Sequence, residues 1–123
     1  MKIDAINPSI IVVETSNDVR RRLDFCLAIA NDIAEGRIVI TVNTKEDIVA
    51  MCKDDGLINK VAVMADSDGL IPARRSASKI NLLVGYLVSQ CRKRNMGWVF
   101  GCKDYSKIEM RVRRQCDLIV RAR

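Results

Sequence analysis

Five short runs of apolar residues recur along this chain, and segments with helical periodicity separate them. The runs lie at 9–13, 37–42, 60–65, 98–102 and 118–120. Between them apolar side chains repeat every three or four residues, most clearly over 18–35, which is the spacing of one helix face. A strand that is apolar without interruption must be covered on both faces, so such strands alternating with helices predict βαβ units and a parallel sheet. With right-handed crossovers, the sequence predicts an α/β fold: a single three-layer domain over residues 1–123 with a five-stranded, mostly parallel sheet.

Start and stop signals place the helices more closely. The residues expected to cap helix N-termini are Ser16 or Asn17, Thr44, and Ser76 or Ser78. The third long helix is expected to run to Arg92-Lys93-Arg94, where cations suit the negative end of the helix dipole. Asp55-Gly56 is expected to be a turn and 66–69 a polar break, and a short basic helix is expected near Ser106–Gln115.

Positive charge is concentrated in the second half of the chain, within a formal net charge of +6. Residues 1–60 contain 8 Lys or Arg and 10 Asp or Glu, whereas residues 61–123 contain 13 and 5, so the halves carry about −2 and +8. Such asymmetry predicts one basic face that could bind nucleic acid or an acidic partner. The alternative is a solvated basic surface with no partner.

The chain has five cysteines and no histidine. The lack of histidine excludes imidazole acid–base catalysis, Cys-His nucleophiles and most zinc sites, so no metal site and no cofactor are expected. Cys26 and Cys91 fall on apolar helix faces, which favours a role as buried small hydrophobic residues. No apolar run approaches the ~20 residues that span a bilayer, and the N-terminus lacks a signal-peptide pattern. A cytoplasmic protein without membrane contact is therefore expected.

The stretch Glu14-Thr-Ser-Asn-Asp-Val-Arg-Arg21 lies where a nucleotide-binding protein places its phosphate loop, between a strand and a helix. Set against Gly-x4-Gly-Lys-Ser/Thr, Glu14 and Val19 take the glycine positions, Arg20 the lysine position and Arg21 the hydroxyl position. The spacing is kept, but Glu14 adds negative charge, Val19 blocks the backbone approach and Arg21 cannot ligate a metal, although Arg20 could still meet a phosphate. An ordinary capped turn explains the stretch equally well.

Ligands of an open parallel sheet bind beyond the carboxyl ends of its strands, so functional side chains are expected along one rim. The stretches expected at this rim are 14–21, 43–47, 66–75 and 102–107.

The stretch 61–120 resembles the C-terminal part of HerA/FtsK-type P-loop ATPases, particularly the small archaeal, plasmid and viral packaging-type members. The segments that match this family in order and spacing are Arg74-Arg75, Ser78 to Asn81, Gln90 to Arg94, Arg111 to Arg114 and Asp117 to Val120. Residues 9–60 follow the family only in element order, helix length and loop position. The resemblance implies a P-loop NTPase-like sheet with the strand order 5-1-4-3-2.

The positions at which this family does its chemistry differ in this chain. The Walker B Asp-Glu pair, which holds the magnesium shell and orients the attacking water, corresponds to Asp66-Ser67 or Ala65-Asp66, with Asp68 as a displaced substitute. The Thr-Gln that senses the γ-phosphate corresponds to Cys102-Lys103. Since the loss of one phosphoryl-transfer contact often costs orders of magnitude in rate, the degraded motifs predict no catalytic residue and no hydrolysis.

The resemblance therefore implies a non-hydrolysing relative that acts as a DNA-binding or partner-binding module, its partner being DNA or a related ATPase subunit; homo-oligomerisation stays open. The residues implied as nucleic-acid or partner contacts are Arg74, Arg75, Arg92, Lys93, Arg94, Arg111, Arg113 and Arg114. The alternative is a nucleotide-binding ATPase with an unorthodox phosphate loop. Its candidate nucleotide-binding residues are Thr15, Ser16, Arg20, Arg21, Asp66 and Asp68. The cations 92–94 could instead only cap a helix C-terminus.

Overall fold

The computed structural model describes residues 9–16, 18–54 and 58–122. The strands within these ranges are β1 (Ile10–Thr15), β2 (Ile38–Thr41), β3 (Lys60–Met64), β4 (Gly97–Cys102) and β5 (Leu118–Ala122). The helices are α1 (Val19–Ala34), α2 (Lys45–Lys53), α3 (Ser67–Leu70), α4 (Lys79–Ser89) and α5 (Met110–Gln115), with short 3-10 turns at Ala73–Arg75 and Tyr105–Lys107. The predicted α/β fold is confirmed.

All four strand pairings are parallel, and the order across the sheet is β2-β3-β4-β1-β5. Read from the β5 edge, this is 5-1-4-3-2, the order stated above as an expectation. Strand β1 has a neighbour on each side, so that Val12 lies opposite both Phe100 of β4 and Ile119 of β5. Because the strands are parallel, their carboxyl ends form one rim, and the loops that follow β1, β2, β3 and β4 meet there.

Helices lie on both faces of the sheet because of the direction of its connections. The connection from β1 to β2 runs past β4 and β3 toward one edge, whereas every later connection moves toward the other edge. Since parallel crossovers are right-handed, α1 must cover one face and the later helices the other. The two hydrophobic cores agree. Ile11 and Val13 of β1 share one core with Cys26 of α1, whereas Ile10 and Val12 share the other with α2, α4 and α5.

The larger core has an aromatic centre in β4. Trp98 and Phe100 are both fully buried, and they are two residues apart on one strand, so their side chains point to the same face. Their ring centroids are 4.7 Å apart and the planes differ by 3°. The two rings therefore stack in parallel between the sheet and its helices.

The helix α1 is capped by Asp18, whose side chain accepts a hydrogen bond from the Arg21 backbone N–H at 3.0 Å. The prediction that Ser16 caps this helix is therefore wrong, and the other predicted residue, Asn17, lies outside the described residues.

The Thr44 cap of α2 is confirmed. Its hydroxyl accepts from the Asp47 N–H at 3.2 Å, and the Asp47 carboxylate accepts from the Thr44 N–H at 3.1 Å, which completes a capping box.

The cap of α4 is Ser78, whose hydroxyl accepts from the Asn81 N–H at 3.2 Å, and this decides between the two predicted serines. The helix ends at Ser89, so the prediction that it runs to Arg92-Lys93-Arg94 is wrong. Its last turn tightens because the Gln90 N–H is shared between the carbonyls of residues 86 and 87, and the chain then turns over 90–95.

Two predicted segments contain finer structure than the sequence indicates. The polar break at 66–69 includes the start of the short helix α3. The basic helix predicted near Ser106–Gln115 is divided into a 3-10 turn and α5, because Ile108 between them is extended and pairs with Pro72 in an isolated bridge. The predicted turn at Asp55-Gly56 lies outside the described residues.

Candidate functional site

The stretch 14–21, which aligns with a phosphate loop, begins within a strand. Glu14 and Thr15 still belong to β1, where Glu14 lies opposite Cys102 and Thr15 opposite Ala122. Thr15 is buried and Ser16, the next residue, is exposed. Because sheet pairing holds the backbone at 14 and 15, these residues do not form the open concave turn in which a phosphate loop gathers its N–H groups.

The side chain of Glu14 has a structural role at this rim. One carboxylate oxygen accepts a hydrogen bond from the Tyr105 backbone N–H at 2.8 Å, and the other accepts from Arg121 Nε at 3.0 Å. Glu14 therefore fastens the loop after β4 and the edge strand β5 to the end of β1. A glycine at this position, as in a phosphate loop, would lose both contacts.

The most deeply buried cation of the rim is Arg22, which is 1% exposed. Its Nη1 donates a hydrogen bond to the Ala65 carbonyl at 3.0 Å. The same nitrogen lies 4.0 Å from an oxygen of Asp66 and 3.8 Å from an oxygen of Asp68. The guanidinium therefore sits beside the two acids that the sequence assigns to a magnesium or nucleotide site, and the protein supplies its own positive charge there.

A glycine in β4 makes room for this arginine. A Cβ at Gly101 would lie 3.0 Å from Arg22 Cδ, 2.9 Å from Cys26 Sγ and 3.0 Å from the Ala65 carbonyl oxygen. These distances are too short for ordinary contact, so the stem of Arg22 can cross the end of β4 only where no side chain stands. Arg22 can therefore lie in this position only because residue 101 of β4 is a glycine.

Asp68 joins the loops after β3 and β4. Its second carboxylate oxygen accepts a hydrogen bond from the Lys103 backbone N–H at 2.8 Å. Lys103 is the residue that the resemblance to HerA/FtsK-type ATPases aligns with their phosphate-sensing glutamine. Its backbone N–H is bound to the carboxylate of Asp68. Asp66, by contrast, keeps 56% of its side chain exposed.

Two of the remaining candidate nucleotide residues are surface arginines. Arg20 and Arg21 are exposed on the first turn of α1, while the next residue, Arg22, points inward. The structure therefore brings Asp66 and Asp68 together around Arg22, which the sequence analysis missed. Arg22 precedes Cys26 by four residues, so its position on the buried stripe of α1 was the available signal.

Three of the predicted contact arginines have intramolecular partners. Arg92 Nη2 lies 2.8 Å from an oxygen of Asp117, whose other oxygen accepts from the backbone N–H groups of Ser9 and Ile10. Arg113 Nε donates to a main-chain carbonyl, that of residue 108, at 3.1 Å. Asp117 thus holds the start of β1, Arg92 pairs with it from the surface, and Arg113 ties α5 to the residue before its cap.

The third of these arginines belongs to a buried polar cluster between α4 and α5. Arg111 Nη1 donates to Glu109 at 2.9 Å and to the Ser76 carbonyl at 3.1 Å. Glu109 is fully buried and also accepts from the Asn81 side-chain amide at 3.3 Å. Since a buried carboxylate needs a cation and donors around it, Arg111 has a structural role here. Lys93 and Arg114 are exposed and Arg94 is half-buried.

The exposed pair Arg74 and Arg75 lines a cleft of about 240 Å³ at the β2–β3 end of the rim. Lys45, at the start of α2, and Lys79, at the start of α4, line the same cleft. We call these four residues and the space between them the basic cleft. No acidic side chain lines it among the described residues. Lys45 and Lys79 could not be predicted as members of this cleft because each is a single cation in an otherwise mixed segment.

The thiols of this structure are unreactive where they are buried. Burial raises the pKa of Cys26, Cys91 and Cys102 to about 12, so that these thiols stay protonated at neutral pH. The predicted burial of Cys26 and Cys91 is confirmed. The described part of the chain contains no group of three or more side chains arranged to hold a metal ion.

Comparison with known proteins gives no family for this chain. No family model matches the sequence, and a search of curated proteins found no significant match. Among the helices of the described ranges, none combines the length and apolar character needed to cross a bilayer.

Proposed function

We propose that this chain is a non-hydrolysing relative of HerA/FtsK-type ATPases that binds DNA through its basic cleft. The observation that carries the proposal is the convergence of four exposed cations on one cleft whose described lining contains no acid. The strand order 5-1-4-3-2 and the resemblance over 61–120 support the relationship to the ATPase class.

The cleft suits the phosphate backbone of DNA in three ways. The guanidinium groups of Arg74 and Arg75 can each hold a phosphate through two hydrogen bonds, and the compact ammonium groups of Lys45 and Lys79 add positive charge to the same cleft. The cleft also lies at the N-terminus of the eleven-residue helix α4, where the helix dipole favours anions. Contacts of this kind position a protein on DNA without reading its sequence.

The absence of hydrolysis in this proposal rests on the surroundings of Arg22. A nucleotide site of this class needs carboxylates free to hold magnesium, yet both candidate acids face a buried guanidinium within 4.0 Å. Glu14 and Thr15, the first two residues of the stretch aligned with a phosphate loop, are in turn paired within β1.

The first prediction concerns the salt dependence of DNA binding. If the four cleft cations each neutralise about one phosphate, the slope of log K against log salt concentration is about −3.6. The double variant Arg74→Ala, Arg75→Ala should reduce that slope by about 2, because two counterions fewer are released. Fluorescence anisotropy of a labelled duplex across a salt series measures both values.

A matched control removes the same charge elsewhere. The variant Arg20→Ala, Arg21→Ala also lowers the net charge by two, but on the exposed first turn of α1. Its slope should stay close to that of the unaltered protein. An equal loss of slope in both variants, or no measurable binding at low salt, would argue against the basic cleft as the DNA site.

The second prediction separates this proposal from the nucleotide-binding alternative. Titration of ATP with magnesium should give no binding heat in calorimetry, and a phosphate-release assay should give no turnover, because Arg22 brings a positive charge within 4.0 Å of both acids where magnesium would have to bind. Binding heat that disappears in the Arg20→Ala, Arg21→Ala variant would instead favour an unorthodox phosphate loop.

A further inference from the structure

The helices α4 and α5 present an apolar patch to solvent on the face of the sheet opposite α1. Leu82 and Tyr86 are four residues apart on α4, so they lie on the same side of the helix, and they are 49% and 50% exposed. Met110, the first residue of α5, is 40% exposed. We call these three residues the outer patch.

Two contacts bring the start of α5 against α4 beside the outer patch. The Asn81 amide donates to Glu109 at 3.3 Å, and these are the chain neighbours of Leu82 and Met110. On the next turn of α4, Gly85 has no side chain, and the stem of Arg111 packs into the space. The start of α5 is therefore held against the middle of α4, where the apolar side chains emerge.

The exposed charges that α4 and α5 contribute beside the outer patch all have one sign, because Glu109, the residue before Met110, is buried and paired with Arg111. Neither α4 nor α5 contains an acidic residue. The charged residues of the two helices are Lys79, Arg111, Arg113 and Arg114. Of these, Lys79 and Arg114 are exposed, and Lys79 lies three residues before Leu82. An apolar surface bordered by cations complements a partner that carries apolar side chains bordered by carboxylates.

We propose that the outer patch binds an acidic amphipathic helix of a partner protein, beside the basic cleft, with which it shares the bordering cation Lys79. Leu82 and Tyr86 lie a helical turn apart on α4, and Met110 lies on the neighbouring helix. These three side chains offer an apolar surface to the apolar residues of a partner helix, which recur at i, i+3 or i+4 and i+7. Tyr86 supplies a rigid anchor, and Met110 adapts its shape to the partner. Tyr86 is the only aromatic side chain of the patch, and its neighbours Leu82 and Met110 offer no stacking surface to a base, which favours a protein partner over nucleic acid.

A display library of random peptides tests this assignment with the full chain as bait. The peptides recovered should be rich in Asp and Glu and should carry leucine or aromatic residues at helical spacing. A synthetic copy of a recovered peptide should bind the Leu82→Ser, Tyr86→Ser variant at least tenfold more weakly. Both substitutions are at exposed positions, so the fold should persist, and circular dichroism checks this.

Two control variants make the result specific. Phe25→Ser changes an exposed apolar residue of α1 on the opposite face and should leave peptide affinity unchanged. Arg74→Ala, Arg75→Ala should weaken DNA binding but not peptide binding, so that failure of one proposal is visible apart from the other. Recovery of basic or uncharged peptides, equal affinity for all variants, or no recovered peptide would overturn the proposal. Amide resonances of Leu82, Tyr86 and Met110 that shift with a DNA oligonucleotide and not with the peptide would assign the patch to nucleic acid instead.

Discussion

Arg22 is a charged residue in a position that helical periodicity reserves for the core. It lies on the same stripe of α1 as Cys26 and Ala30, and all three are buried. Burial of a guanidinium is tolerated only with partners, and Arg22 has the Ala65 carbonyl and the nearby acids at 66 and 68. At the surface, the positive charge of Arg22 could bind an external anion. Here it is paired inside the protein instead.

The residue-scale prediction is that Arg22→Met lowers the free energy of unfolding by about 3 kcal/mol. Methionine fills much of the same space, but Asp68, whose side chain is only 18% exposed, is left without its cation. Urea denaturation followed by circular dichroism measures the change. Arg21→Met, at the exposed neighbouring position, should change stability by no more than about 0.5 kcal/mol. Equal stability of the two variants would contradict the structural role of Arg22.

Helix ends were the least predictable elements of this fold, and the reasons are local. Thr44 could be assigned from sequence because an acid three residues later completes its capping box. At α1 three successive polar residues compete for the cap, and only the path of the chain after β1 selects Asp18. The short helix α3 spans four residues, which is too short to show a period.

The element-scale prediction concerns the acid dependence of the α1 cap. Hydrogen bonding from the Arg21 backbone N–H lowers the pKa of Asp18 below its ordinary value. A carboxyl with a depressed pKa in the folded state adds stability above its unfolded pKa of about 3.9, and this is lost as pH falls through the folded pKa. Asp18→Asn and Asp18→Ser both keep an acceptor but remove the charge. Both should therefore flatten the loss of stability below about pH 4, as measured by urea denaturation at a series of pH values. A loss as steep as in the unaltered protein would contradict this account.

The whole molecule consists of one sheet between two unequal layers. Within the described ranges, α1 packs on one face, and α2, α3, α4 and α5 contribute to the core on the other. The strands and the α/β class could be predicted from sequence because each strand contains an uninterrupted apolar run. Such a run must be covered on both faces, as it is in a parallel sheet between helices. The same reasoning could not separate surface arginines from internal ones. Arg74 and Arg111 look alike in sequence, and only the buried Glu109 beside the second makes it structural.

The whole-molecule prediction uses the buried thiols as reporters of opening. Because burial raises the pKa of Cys26, Cys91 and Cys102 to about 12, thiol reagents should modify them only at the rate at which the fold opens. Cys52, which is half-buried on α2, should react first. Mass spectrometry of peptides from timed labelling gives the order of reaction. Labelling of the three buried thiols ahead of Cys52 would contradict the packing described.

The stacked pair in β4 gives this protein an optical marker of its innermost layer. The chain has one tryptophan, Trp98, and it lies fully buried against Phe100. Indole fluorescence therefore originates from a single, dry environment in the middle of the sheet. Its emission will move to longer wavelength when water reaches the central strand, whereas loosening confined to the basic cleft or the outer patch will leave the spectrum unchanged. One fluorescence spectrum can thus distinguish local loosening at the surface from unfolding of the whole protein.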